Sequence, residues 1–469
     1  MATKASEITG PDTICAIASP PGSGAIAMIR VSGPQSFSIS EKIFSPSKKG
    51  LKISQAKTHT IHFGTIGDAG NLLDEVLMYI YKSPHSYTGE DAVEISCHGS
   101  LFIQQKIIEL LLRHGCRLAR PGEFTLRAYL NGKFDLSQAE AVADLIAANS
   151  QAAHDLALNQ MRGGFSVKIK ELRGKLIDFT SLLELELDFS EEDVEFADRK
   201  QLFKLLSSLK EEITRLIDSF SVGNVLKTGI PVAIIGKPNV GKSTLLNAIL
   251  NEERAIVSEI PGTTRDIIED TIIIDGVSFR FIDTAGIRKA KDEIEAMGIE
   301  KTYEKINQAK IILYVCDVSE CLYDEIKGVV EDFKNHMKDT TKRWVLIGNK
   351  IDKLVSTPKD FRELVDLETI FVSAKRRENI HMLTSSLRLS VDEGQITDQT
   401  LVSNTRHYEA LKKSLESLEN VEQGFHDDIP TDLVTIDLKQ ALHYLGQITG
   451  EITTDEILGN IFGRFCIGK

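Results

Sequence analysis

IPVAIIGKPNVGKSTLLNAIL, residues 230–250, decides the fold of at least one part of this chain. The apolar run IPVAII reads as a buried strand. Gly236, Gly241, Lys242 and Ser243 then supply the pattern G-x-x-x-x-G-K-S, and the residues beyond Ser243 place apolar side chains at helical spacing. Strand, glycine-rich turn and helix in that order are what a phosphate-binding loop requires. The glycines let backbone N–H groups approach phosphate oxygens, and the helix N-terminus adds a favourable dipole. Lys242 is placed to reach the β- and γ-phosphates and Ser243 to ligate Mg²⁺, with Asn239, Val240 and Thr244 completing the loop. A glycine-rich turn that binds nothing is the bland alternative, which the full pattern in its full context disfavours.

Outward from this loop, residues 229–391 alternate strand and helix patterns, which implies a parallel sheet. The segment SEIPGTT, from Ser258 and Glu259 through Ile260, Pro261, Gly262 and Thr263 to Thr264, offers Thr264 as a second metal-sensing hydroxyl. TIIIDGVSFRFIDTAG reads as a hairpin around Asp275-Gly276 that leads into Asp283, Thr284, Ala285 and Gly286. The strand pattern RWVLIGNKID brings Asn349, Lys350 and Asp352 to a strand end, and IFVSAK does the same for Ser373, Ala374 and Lys375. A carboxylate at Asp352 can accept from both the N1–H and the 2-amino group of guanine, which adenine does not offer. Each short motif is weak alone. Five in order, each at a strand end, identify a Ras-like GTP-binding domain. One position is unusual for such a switch: Ile287 follows the Asp283–Gly286 turn, where a Gln would orient the attacking water.

The 469 residues suggest two to three domains. With 55 basic against 68 acidic residues the net charge is −13, which argues against coating nucleic acid through bulk charge. The six cysteines, at 15, 97, 116, 316, 321 and 466, contain no CxxC pair, so a metal cluster or disulfide framework is not expected and reduced cytoplasmic thiols are. No signal peptide or membrane span is read in the sequence. Residues 1–120 mix short strand patterns (AIAMIRVSG, EVLMYIYKSP, AVEISCHGS) with the helical pattern LFIQQKIIELLLRHG, an α+β texture. Residues 121–228 are helical, and helical texture returns over 392–469. The expected fold class is therefore multidomain, α+β, then all-α, then α/β, with the α/β domain inserted into a discontinuous helical domain.

SPPGSGAIAMIRVSG (19–33), SYTGEDAVEISCHGS (86–100), RPGEFTLRAYLNGKFDLSQAEAVADLI (120–146) and the terminal TTDEILGNIFGRFCIGK (453–469) closely resemble the tRNA-modification GTPases of the TrmE, or MnmE, family over essentially the whole chain. That resemblance implies an N-terminal domain that binds tetrahydrofolate and dimerises, a helical domain and an inserted G domain. It implies a homodimer working with an FAD-containing partner, MnmG, in a heterotetramer. Together they would add an aminomethyl or carboxymethylaminomethyl group to C5 of the wobble uridine of certain tRNAs. A 5-formyl- or 5,10-methylene-tetrahydrofolate would give the one-carbon unit, and FAD would sit on the partner alone. Arg30, Glu94, Lys133 and Lys469 match the family's folate-contacting positions. Arg and Lys can pair with a glutamate tail, and a carboxylate can accept from pterin amino groups. Cys466 matches the family's C-terminal cysteine, and two readings of it stand: a small packing residue, or a thiol that joins the chemistry.

The resemblance also accounts for Ile287. The side chain of Asn239, the carbonyls of Ser258 and Ile260 and the hydroxyl of Thr263 match a K⁺ site beside the nucleotide, with Mg²⁺ on Ser243 and Thr264. The cation would stand where other GTPases place an arginine finger. Glu295 matches the catalytic glutamate that positions water, and Arg288 is expected to support the switch or a dimer contact. The acidic run ELELDFSEEDVEF (184–196) lacks calcium-loop spacing and reads as a solvated helix end. KRRENI (375–380) and VKIKELRGK (167–175) are modest basic clusters, tRNA contacts or ordinary helix surface. A ribosome-assembly GTPase that acts as a switch without modification chemistry is the competing function. It would share the loop, but neither a KH-type GXXG module nor a second Gly-Lys-Ser is visible.

Overall fold

The computed structural model describes residues 12–68, 71–188, 199–252, 270–282, 306–320, 328, 342–354, 368–389, 400–463 and 465–468. The backbone falls into two compact units: Met1–Ala143, Gln160–Leu209 and Lys413–Lys469 form one, Asp144–Asn159 and Lys210–Lys412 the other.

The first unit opens with β1 (Thr13–Ile17), β2 (Ile26–Ser32), α1 (Ser36–Ile43), β3 (Phe44–Pro46), β4 (Thr60–Asp68), β5 (Asn71–Tyr81), β6 (Ala92–His98), α2 (Leu101–Arg113) and β7 (Cys116–Leu118). The sheet order is β3-β4-β5-β6-β2-β1-β7. Neighbours are antiparallel except β1 and β7, which run parallel. Side chains alternate across a strand, so Asp74, Val76, Met78 and Ile80 of β5 turn to the buried face. There the apolar ones join Ile29, Val31, Val93, Ile95, Ile107 and Leu111 in one core. Arg30 and Glu94 stand on the opposite face, directly across the β2–β6 pair from each other. Helix α1 was not read from the sequence because SFSISEKI carries three serines. It forms because Ser36, Ile39, Ser40 and Ile43, spaced i, i+3, i+4, i+7, make one buried face.

Helices follow: α3 (Glu123–Leu130), α4 (Leu136–Ala147), α5 (Gln151–Met161), α6 (Gly164–Asp188) and α7 (Arg199–Thr228). The long apolar repeat of 136–160 divides at Ser150, whose hydroxyl accepts the Ala153 N–H at 3.2 Å and so starts α5 as a side-chain cap. The acidic run lies within α6 as far as Asp188, and residues 189–196 lie outside the described residues.

The second unit contains β8 (Ile230–Ile235), α8 (Lys242–Glu252), β9 (Asp270–Ile274), β10 (Val277–Phe281), β11 (Ile311–Asp317), β12 (Arg343–Asn349), β13 (Glu368–Phe371) and α9 (Ile380–Leu389). Its sheet order is β13-β12-β11-β8-β10-β9, parallel apart from β9. Every residue of β8 and β11 is buried, as expected of central strands covered on both faces. Asp275 and Gly276, with φ of 46° and 79°, turn the β9–β10 hairpin; two positive φ values are what a tight hairpin of this hand needs. The chain ends with α10 (Thr405–His426), α11 (Thr431–Thr449) and α12 (Asp455–Phe462), and α11 packs along α6 with Lys439 paired to Glu184 at 2.9 Å. The architecture is thus a mixed α+β sheet domain, a set of helices drawn from before and after the P-loop segment, and an α/β P-loop domain.

The one tryptophan of the chain, Trp344, is buried in β12, so its fluorescence reports unfolding of the second unit. Phe279 is fully buried in that unit's core. Phe279→Ala should lower the stability read by Trp344 in a urea titration by about 3–5 kcal/mol, the usual cost of emptying a phenylalanine site. A loss below about 1 kcal/mol would mean that the site collapses freely around the missing ring.

Candidate functional sites

The carboxyl ends of β8, β11, β12 and β13 point to one edge of the sheet, where open α/β sheets bind ligands. The phosphate-loop residues follow β8. Gly236 (φ +147°) could carry no side chain, because a Cβ would come within 2.2 Å of the Val315 carbonyl. Lys242 Nζ donates to the carbonyls of Gly236 and Lys237 at 2.7 and 2.6 Å, which holds the ammonium across the start of the loop. Ser243 and Thr244 lie in the first turn of α8. Asn239 is exposed, in the left-handed conformation at φ +59°, as Asn tolerates.

Three loops meet on Asn349. Its buried amide nitrogen donates to the Val240 carbonyl at 2.8 Å, and its amide oxygen accepts the Ala374 N–H at 3.0 Å. The next residue, Lys350, donates from Nζ to the Asn239 carbonyl at 2.8 Å. Asp352 Oδ1 accepts the Ser373 hydroxyl at 2.7 Å, and Ser373 Oγ in turn accepts the Arg376 N–H at 3.2 Å. The Ser373 bond holds the Asp352 carboxyl below the usual carboxylate range, with Arg376 and Lys375 adding to it, so the group is an acceptor at neutral pH. The structure thus brings together Asn239, Val240, Gly241, Lys242, Ser243, Thr244, Asn349, Lys350, Asp352, Ser373, Ala374 and Lys375. Ser258, Glu259, Ile260, Pro261, Gly262, Thr263, Thr264, Asp283, Thr284, Ala285, Gly286, Arg288 and Glu295 lie outside the described residues, as does Lys469.

The second candidate site is in the first unit. A cavity of about 190 Å³ is lined by Arg30, Tyr81, Tyr87, Thr88, Ala92 and Glu94. Arg30 Nε donates to Glu94 Oε1 at 2.7 Å. The guanidinium lies 5.0 Å from the centre of the Tyr87 ring and 5.4 Å from that of Phe124, within cation–π range of both. The Tyr87 hydroxyl bonds Thr125, and burial pushes its pKa up. Burial and the nearby Glu94 carboxylate push up Tyr81 likewise, so both phenols stay protonated. Arg30 NH1 also donates to the Gly468 carbonyl at 3.4 Å, and the Gly122 N–H donates to the Cys466 carbonyl at 3.4 Å. The C-terminal segment is therefore seated beside the cavity, and the Cys466 side chain is exposed rather than packed. Cys15, Cys97, Cys116 and Cys316 are buried, and burial raises the Cys97 thiol to about 11. Cys321 lies outside the described residues. Lys133 does not line the cavity; its Nζ donates to the Pro84 carbonyl at 3.0 Å. Tyr81, Tyr87, Thr88 and Ala92 went unnoticed as individual site residues. The β5–β6 register, which sets Tyr81 against Ala92 two residues from Glu94, would have picked out both, but strand pairing was not available from the pattern.

Two family models match the chain: "GTP-binding protein TrmE N-terminus" over residues 13–133 and "MnmE helical domain" over residues 136–466. The chain belongs to the MnmE family. Curated relatives named tRNA modification GTPase MnmE include those of Flavobacterium psychrophilum, 54% identical over 98% of this chain and 99% of that protein, and Flavobacterium johnsoniae, 53% identical over 98% and 99%. That of Cytophaga hutchinsonii is 53% identical over 98% of each. The boundary between the two MnmE-family models, at residues 133–136, falls between α3 and α4.

The Asp352 geometry makes base selection testable. Asp352→Asn should move the preference from guanine toward xanthine nucleotides, because the amide donates where the carboxylate accepted. Competition between GDP and XDP for the variant checks this; a variant that still prefers GDP would contradict the assignment of the pocket.

Proposed function

We propose that this chain is a GTP hydrolase that takes part in tRNA modification. The observation that carries this reading is the convergence of the phosphate loop, the Asn349–Asp352 loop and the Ser373–Lys375 loop on one buried amide, in a chain of the MnmE family. Lys242 and the loop backbone hold the triphosphate, and Asp352 selects guanine. Mg²⁺ would be held by Ser243 and Thr264, where it neutralises phosphate charge. K⁺ would be held by Asn239, Ser258, Ile260 and Thr263. Asn239 suits this part: it is exposed on the phosphate loop, and Lys350 holds its backbone carbonyl. Glu295 takes over the positioning of water that Ile287 cannot perform, and Arg288 supports the switch or a dimer contact.

In the first unit, Arg30 and Glu94 form the polar floor of a cavity with aromatic walls, which suits a flat heteroaromatic ring bearing amino groups. At about 190 Å³ the cavity is smaller than the roughly 300–1,000 Å³ of pockets that enclose a drug-sized ligand, so it would take one end of an extended cofactor. A reduced folate is such a cofactor, with Lys133 and Lys469 meeting its anionic end. The exposed Cys466 is available to the one-carbon chemistry at the wobble uridine, carried out with an FAD-bearing MnmG-type partner by a homodimer of this chain in the cytoplasm. Among the described residues no helix is long and apolar enough to cross a membrane. The domain limits that go with this reading are 1–120, 121–228, 229–391 and 392–469.

Steady-state GTP hydrolysis should require K⁺ and largely fail in Na⁺. Asn239→Ala should lose that stimulation while still binding GTP, and Glu295→Ala should slow turnover by roughly 10²–10⁴-fold, as for a lost base or positioner. Equal wild-type rates in the two salts would remove the cation from the mechanism. Independently, 5-formyl-tetrahydrofolate should raise the unfolding temperature of the full chain and fail to do so for Arg30→Ala. Cys466→Ser should leave GTP hydrolysis near normal while tRNA modification collapses; full modification by this variant would return Cys466 to a passive role.

A further inference from the structure

Asp317 ends β11 and is registered against Asn349 of β12, at the sheet edge that carries the nucleotide loops. Its side chain is 5% exposed. A buried carboxylate is costly unless charge and hydrogen bonds compensate it, and an apolar side chain would fill the same space at no such cost. Its immediate neighbours, Cys316 and Val318, are apolar and buried. Asp317 is nevertheless compensated, by hydrogen bonds at Oδ1 and by ion pairs without a hydrogen bond at Oδ2. Oδ1 accepts the Ser319 N–H at 3.1 Å and the Ser319 hydroxyl at 2.6 Å. Oδ2 faces Lys350 Nζ at 2.6 Å and Lys353 Nζ at 3.6 Å.

The same Lys350 ammonium donates to the Asn239 carbonyl at 2.8 Å. A lysine head on four rotatable methylenes is otherwise poorly directed, and the ion pair with Asp317 together with the bond to the Asn239 carbonyl restricts it from two sides. Asn239 is an exposed residue of the phosphate loop with a left-handed backbone, so its conformation depends on what holds its carbonyl. A line of contacts therefore runs from the end of β11, through the residue after Asn349, into the phosphate loop.

We infer that Asp317 is a positioning residue for nucleotide binding, which acts through Lys350 to fix Asn239 and so couples the guanine-side loop to the phosphate loop. This rests on the GTP-binding reading above. Asp317 touches no substrate itself. It can keep both Ser319 bonds as an asparagine and lose only the charge that directs Lys350, which makes Asp317→Asn the informative change.

The test is equilibrium titration of the full chain with a fluorescent GDP analogue, for wild type, Asp317→Asn, Lys350→Met and the double variant, with folding followed by Trp344 fluorescence. Asp317→Asn should weaken binding by about 10- to 100-fold, the range for a lost charged hydrogen bond. Because the effect passes through Lys350, the double variant should bind within about twofold of Lys350→Met alone. A purely structural role would instead make the two losses multiply. Binding by Asp317→Asn within about twofold of wild type, or multiplicative losses, overturns the inference. If Asp317→Asn does not fold, Asp317→Glu, which keeps the charge but displaces it by one methylene, enters the same cycle with the same expectation. Failure of the wild-type chain to bind GDP would instead remove the GTP-binding reading, and this inference with it.

Discussion

One side-chain amide determines how much of the nucleotide edge can be arranged at all. Asn349 uses its donor on the loop after β8 and its acceptor on the loop after β13, while its own backbone closes β12. Three segments far apart in sequence therefore share a single reference point. The amide also dictates what may stand near it. A Cβ at Gly241 would meet Asn349 Nδ2 at 2.4 Å, so the second glycine of the phosphate loop is needed for space as well as for its positive φ of 99°. Burial makes the arrangement stringent, because a donor or acceptor left unmade there costs its full desolvation.

The first unit solves a related problem with charge. An arginine between two aromatic faces is well held as a cation, but its N–H groups still need acceptors. Glu94 takes one and the Gly468 carbonyl another. The cavity floor is thus a nearly neutral pair whose position depends on the last residues of the chain. Behind it, Arg127, Glu123, Asp12 and Arg117 form an ion network around a guanidinium that is only 4% exposed. That network reaches the segment carrying Tyr87 and Thr88 through Glu90, which pairs with Arg127 and accepts from Ser32.

Much of this was legible in the residues, for physical reasons that differ by element. β8 is apolar throughout and followed by turn chemistry, so its burial showed in the sequence. The phosphate loop and the Asp275-Gly276 turn showed because only certain residues tolerate those backbone angles. Helix α1 did not show, since its buried face includes two serines that carry no hydropathy signal. The division of the 136–160 repeat at Ser150 was equally silent, because a serine can be a cap or a surface residue in the same pattern. At the cavity, Arg30 and Glu94 came from family resemblance. Tyr81 and Thr88 depend on strand pairing and a loop path that one-dimensional spacing does not encode. Asp317 stands at the end of a strand with no motif to mark it, and only its partners distinguish it.

The interleaving of the two units has a consequence for the order in which the chain can be built. The strands of the first sheet are complete once residue 118 has been synthesised, yet the same unit also needs Lys413–Lys469, including the carbonyl that Arg30 holds. All of Lys210–Lys412 emerges in between, and the other piece of its unit, Asp144–Asn159, is already made. At translation rates of roughly 5–20 residues per second, that interval lasts about 10–40 s. The P-loop domain can therefore reach its native state while the other unit still waits for its final helices, and Arg30 meets its Gly468 acceptor only after those helices are made.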